Sequence, residues 1–68
     1  SDAETDRFRA NEAAWADWER RPPSYRKAGT HWVTDAKQTA TRERRLATLI
    51  DDHAAGRKPR ALTPPGER

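Results

Sequence analysis

Large apolar residues recur along this chain at helical spacing rather than in strand alternation. Phe8, Trp15 and Trp18 fall at i, i+7 and i+10, which places them on one stripe of a helix. Alanine is plentiful around them (Ala3, Ala10, Ala13, Ala14, Ala16), and alanine costs least to order in a helix. The pattern predicts a first helix over residues 3–20. Asp2, Glu4 and Asp6 near its start and Arg20 and Arg21 at its end suit the helix dipole. Pro22-Pro23 stops it. A second helix begins at Pro23 or Ser24, since proline is tolerated in a first turn. Its buried face is Tyr25, Ala28, Trp32 and Ala36 with Val33 alongside, and it ends near Lys37. Gly29 weakens it by about 1 kcal/mol against alanine and leaves room for the close approach of another helix, which sequence does not decide. A third helix runs from Thr39 or Ala40 to Ala55, with the Thr39 hydroxyl as its cap. Leu46, Leu49, Ile50 and His53 form its apolar stripe. Gly56 suits the position after the helix, where positive φ is needed. The expected fold is all-α: a small three-helix unit over residues 1–58 and an irregular Pro-rich tail, 59–68, that Leu62 tacks onto the helices.

Composition narrows the function. The chain has 68 residues, and twelve of its twenty-two hydrophobic residues are alanine. Ten large apolar side chains can fill a small helical core but not a core plus a walled pocket, so the expectation is a protein that is not an enzyme. A core this small also favours a dimer or docking on another domain. There is no cysteine, hence no disulfide and no thiolate metal site, and no apolar run is long enough to span a membrane. The acidic N-terminal stretch has no apolar signal region, and the expected location is cytoplasmic. Net charge is +3, unevenly spread: residues 1–19 sum to −4, residues 20–45 to +6 and residues 46–68 to +1. Such segments either fold onto one another or leave a basic surface for an acidic partner.

Lys37, Arg42, Arg44 and Arg45 form the densest basic cluster, with Arg42 and Arg45 on one helix face. Three readings compete. The bases keep the helix soluble and pair with Glu43 and Asp52; or Arg42 or Arg45 clamps onto the second helix or its end; or the cluster binds phosphate, nucleic acid or anionic lipid. Arginine's planar fork of donors suits each. His31 and Asp35 lie at i, i+4, enough for a hydrogen bond and too few ligands for zinc, so no metal or cofactor is expected. No nucleophile at useful spacing makes that pair an acid–base unit, and Ser24 reads as a helix-start residue. Asp51-Asp52-His53 near a helix C-terminus calls for a local cation such as Arg44, Arg45 or Arg57.

Four pieces of the chain carry a resemblance. They are Pro22-Pro23-Ser24-Tyr25-Arg26-Lys27, His31-Trp32-Val33-Thr34-Asp35-Ala36-Lys37, Thr41-Arg42-Glu43-Arg44-Arg45-Leu46 and Ala54-Ala55-Gly56-Arg57-Lys58. In order and spacing they resemble the helical domain of the bacterial YdeI/OmpD-associated, or bacteriocin-protection, family over roughly Ala14 to Lys58. The family's motif positions fall here on Ser24, Tyr25, Trp32, Ala36, Lys37, Thr41, Arg42, Arg45 and Gly56. Thr39-Ala40 stand where the family usually has proline-glutamate, Arg21 where leucine is common, and Trp18 where phenylalanine is usual. Many members carry a β-rich domain upstream of the helices. The resemblance implies a bacterial domain, cytoplasmic or envelope-associated, linked with tolerance of bacteriocins or antimicrobial peptides and with an outer-membrane porin partner, and it brings no catalytic residues. The leading expectation is a non-enzymatic helical interaction module that binds a protein partner, itself or another domain. The alternative is a small nucleic-acid-binding protein using the basic face of residues 37–45, and a third is a stress protein facing anionic membranes or peptides.

Overall fold

Asn11 divides what the apolar spacing joins. The structure, a computed structural model, describes residues 1–67 and contains four helices where three were expected: α1 (Asp2–Ala10), α2 (Glu12–Glu19), α3 (Pro23–Thr34) and α4 (Thr39–Ala54). The predicted first helix is α1 plus α2. Asn11 has extended backbone (φ −94°, ψ 95°) and serves both sides of the break. Its N–H closes α1 on the Phe8 carbonyl at 3.1 Å, and its Oδ1 accepts from the Ala14 N–H at 3.0 Å to cap α2. Asparagine is among the best N-caps and a poor helix-interior residue, so a local cap outweighs the alanine-rich propensity around it. At the other end of α1, Ser1 and Glu4 form a capping box.

Two further boundaries differ from expectation. α3 stops at Thr34, a turn before Lys37, and Asp35 closes it by donating its N–H to the His31 carbonyl at 2.8 Å. Thr39 does not cap α4: Gln38 is the N-cap residue, Thr39 is the first helical residue, and no side chain caps that end. The C-terminus follows the expectation. Gly56 has φ +77°. Its N–H bonds to the His53 carbonyl at 2.9 Å, and the Arg57 N–H bonds to the Asp52 carbonyl at 3.0 Å. This pair of bonds is a Schellman motif.

α2 packs most extensively on α4; α3 and α1 flank this pair. The core is Phe8, Ala14, Trp18, Val33, Leu46, Leu49 and Ile50, with Trp15, Tyr25, Trp32 and Leu62 half-buried against it. Among the described residues no large hydrophobic side chain is exposed. Gly29 admits Trp18: a Cβ there would lie 2.8 and 2.9 Å from two atoms of the indole. The tail holds two 3-10 turns, Arg60–Leu62 and Pro65–Glu67. Pro59 is fully buried, and Leu62 reaches the Gly29 side of α3.

Candidate functional site

The most buried polar side chains meet where α2, α3 and α4 converge. His53 on α4 has no exposed surface, and Asp17 on α2 is buried. His53 Nδ1 lies 2.7 Å from Asp17 Oδ2, and His53 Nε2 lies 2.9 Å from the Tyr25 hydroxyl on α3. Asp17 is also held by Arg20 and by Arg21, whose Nη2 donates at 3.0 Å. The same Nη2 donates to the Gly56 carbonyl at 3.0 Å, tying α2 to the end of α4. Phe8, Trp18 and Tyr25 surround the imidazole with ring centroids 5.4 to 6.2 Å away.

Charge and hydrogen bonding assign the protons. Burial raises the Asp17 carboxyl, but the bonds from His53, Arg21 and Arg20 outweigh it and hold it below the usual carboxylate range. An ionised Asp17 accepts, so Nδ1 carries hydrogen, and in the neutral imidazole Nε2 accepts from the Tyr25 hydroxyl. The order carboxylate, imidazole, hydroxyl has the form of a nucleophile relay. Burial pushes the Tyr25 hydroxyl up to about 12, so at rest it keeps its proton. The constellation is a polar node joining three helices.

Sequence reasoning placed His53 and Tyr25 on buried faces and missed Asp17 as their partner. The available signal was Asp17 and Arg21 at i, i+4, beside two titratable residues on otherwise apolar stripes. The Asp51-Asp52-His53 run does find a local cation: Arg57 Nε donates to Asp52 Oδ1 at 3.0 Å.

The basic cluster is not brought together as one surface. Arg42 reaches across to α1 and grips both Glu4 carboxylate oxygens at 2.6 Å. This bond, with help from the N-terminal ammonium, lowers Glu4 to about 2. Arg45 turns to α3, donates to the Trp32 carbonyl at 2.8 Å and lies over the Trp32 ring, 5.4 Å from its centroid. Lys37 and Arg44 are exposed. Two of the four bases thus act as clamps between helices.

Two concave features remain. A gap between α1 and α3, about 250 Å³, is floored by Phe8, Trp15, Trp18, Val33, Leu46 and Leu49; small-molecule sites usually have roughly 300–1,000 Å³. An open groove follows the outer side of α3. It is lined by Pro23, Arg26, Lys27, Thr30, His31 and Thr34, with Trp18 at its base. Among the described residues no three His, Cys, Asp or Glu side chains are grouped to hold a metal, and no helix is long and apolar enough to cross a membrane.

A model of the bacteriocin-protection, YdeI or OmpD-associated family matches residues 4–56, from α1 to the glycine that ends α4. The chain belongs to this family. The match begins ahead of Ala14 and takes in most of α1. Comparison with curated proteins and with solved structures gives no match.

The motif positions that resemble those of the YdeI/OmpD-associated family mostly hold helices together here. Tyr25 binds His53, Trp32 carries Arg45, Arg42 holds Glu4, and Gly56 supplies both the positive φ and the carbonyl for Arg21. Ala36 and Thr41 are half-buried around the turn between α3 and α4, while Ser24 and Lys37 are exposed.

Proposed function

We propose that this chain is a non-enzymatic interaction module that serves bacteriocin protection by binding a protein partner through the outer side of α3. Membership of the bacteriocin-protection family supports the role. The observation that carries the mechanism is how the polar side chains are used. Asp17, His53 and Tyr25 are locked into one node, and Arg42 and Arg45 are turned inward. The groove of α3 is lined by Arg26 and Lys27, neither of which forms an ion pair among the described residues. A nucleic-acid reading has less support, because binding strength there comes from neutralised phosphates and two of the four bases at positions 37–45 are engaged within the fold.

The test is survival of bacteria challenged with a bacteriocin while they produce the chain. Lys27→Glu with His31→Glu places carboxylates at two exposed positions of the groove and is expected to remove protection at unchanged helicity. Lys37→Glu with Arg44→Glu is expected to keep it. Loss of protection in Tyr25→Phe, with the groove variant unaffected, would overturn the proposal in favour of chemistry at the polar node.

A further inference from the structure

We infer that the groove along α3 is a docking site for an acidic segment of the protein partner, with Arg26 as its central contact. The inference rests on the interaction-module reading and names the site and the partner's chemistry. Three observations point the same way.

The first is composition. The groove presents Arg26, Lys27 and His31 with the hydroxyls of Thr30 and Thr34, and no carboxylate lines it. Pro23 and Trp18 give it an apolar base at one side. Arg26, Lys27 and Thr30 offer donors to an anion there, whereas the Thr34 hydroxyl is turned to the His31 carbonyl at 3.4 Å.

The second is Arg26 itself. Its Nε is buried and makes no hydrogen bond. Other guanidiniums of the interior have acceptors: Arg21 on Asp17 and Gly56, Arg42 on Glu4, Arg45 on Trp32. The Arg26 Nε is closed to solvent, so a carboxylate in the groove would meet the rest of the half-buried guanidinium, which forms no ion pair among the described residues, through a charge-assisted bond.

The third is the backbone of α3. Its first turn has no acidic residue and no side-chain cap, so the positive end of the helix dipole is uncompensated. At its other end the Trp32 carbonyl is neutralised by Arg45. The helix thus offers positive potential at its N-terminal end, while the exposed carboxylate of Asp35 lies at the other.

The spacing selects the occupant. Arg26 and His31 are five residues apart, about 7.5 Å along the axis, so the donors are strung along the groove rather than converging on one point. A single phosphate meets one of them at a time. Carboxylates spaced along a polypeptide meet several in turn, with apolar side chains left for Trp18 and Pro23. Duplex DNA needs a broad positive face, which this one-helix stripe does not provide.

The experiment is fluorescence anisotropy with the whole chain and labelled probes. The first probe is a short peptide of Glu and Leu. The others are the same peptide with Gln for Glu, a random DNA duplex, and vesicles of phosphatidylcholine with phosphatidylglycerol. The Glu/Leu peptide is expected to bind, with affinity falling as salt rises, and the Gln peptide is not. Arg26→Gln and Lys27→Glu are each expected to weaken binding roughly tenfold. Lys37→Glu with Arg44→Glu, outside the groove, is expected to leave it unchanged. Circular dichroism and the thermal midpoint of each variant separate lost contact from lost fold; Lys27, fully on the surface, serves where Arg26→Gln unfolds. Equal binding by the groove variants and wild type overturns the site. No binding of the Glu/Leu peptide, or tighter binding of duplex or anionic vesicles, overturns the occupant. Loss of bacteriocin protection in the Lys27→Glu, His31→Glu variant would then still support the interaction module, so the two failures are distinguishable.

Discussion

Gly29→Ala sets two opposed effects against each other, and the structure decides the sign. Glycine inside a helix is worse than alanine by about 1 kcal/mol, so an exposed substitution would stabilise. Gly29 is buried, and the added methyl would stand 2.8 Å from Trp18 Cη2 and 2.9 Å from Cζ3. Neighbouring rings restrict how the indole can yield. Phe8 and Tyr25 lie against it with ring centroids at 5.2 and 5.9 Å, and His53 at 5.4 Å. Overpacking of a rigid core costs about 1–3 kcal/mol, and the crowding of two ring atoms places this site in the upper half. The net effect is a destabilisation of about 1–2 kcal/mol, or a fall in thermal midpoint of roughly 4–16 °C for a domain of this size. The assay is thermal unfolding followed by circular dichroism, with the near-ultraviolet tryptophan bands as a local readout. In a Trp18→Phe background the smaller ring removes the clash, and the same Gly29→Ala change is expected to be neutral or stabilising. A Gly29→Ala single variant as stable as wild type would refute the reasoning, because it would mean that Trp18 does not occupy the space the glycine leaves.

Gly56→Ala meets nothing within 4 Å of the new Cβ, so only the backbone matters, and φ +77° predicts a loss of about 1–2 kcal/mol, with Gly56→Asn milder in chemical denaturation. Tyr25→Phe leaves buried His53 Nε2 without its donor and is expected to cost about 1–2 kcal/mol in the same assay. Asn11→Ala removes the Oδ1 cap of α2 and is expected to cost about 1 kcal/mol, whereas Asn11→Asp keeps the acceptor and most of the stability. Glu4 is at about 2 in the folded chain against 4.5 unfolded, so its stabilising contribution is present above pH 4.5 and lost as pH falls toward 2. A plot of thermal midpoint against pH should therefore drop over that window, and Glu4→Gln should flatten part of it, the rest belonging to Asp17, whose shift has the same sign.

What the sequence reveals here follows the range over which each signal acts. Gly56 and the stripe Leu46, Leu49, Ile50, His53 are legible because a helix end and a helix face are set by neighbours a few residues away. Asn11 is legible in the same local terms, as asparagine before Glu-Ala-Ala, yet the long apolar stripe from Phe8 to Trp18 overrides it in a reading based on period alone. The kink keeps both ends of that stripe on the core. Asp17 is not legible as the partner of His53, because thirty-six residues separate them and its one local signal, Arg21 at i, i+4, marks an ion pair and not a burial. The basic cluster shows the same limit. Composition brings out four bases, but which of them face inward depends on Glu4 and on the Trp32 carbonyl, each placed by tertiary packing.

The polar contacts also explain how so slight a core can present a defined surface. α3 is held from three directions, and only one of them is apolar. Trp18 enters at Gly29 and sets how closely the helix approaches α2. Near one end Tyr25 is bound by His53; near the other the Trp32 carbonyl is bound by Arg45. Apolar packing alone tolerates sliding and rotation when few large side chains are involved, whereas directional bonds at both ends of a helix fix its register and its rotation about its own axis. Rotation matters most for the proposed role. A turn of α3 by one residue, about 100°, would carry Arg26 and Thr30 off the groove and replace them with different neighbours. The buried node and the Arg45 clamp therefore bear on binding without touching a partner. Tyr25→Phe combined with Arg45→Ala is expected to weaken the acidic peptide even at temperatures where the chain stays helical, while Gly56→Ala, which loosens the end of α4 and leaves both tethers in place, is expected to lower stability with little effect on affinity. Equal weakening by the two would mean that binding follows global stability and not the orientation of α3.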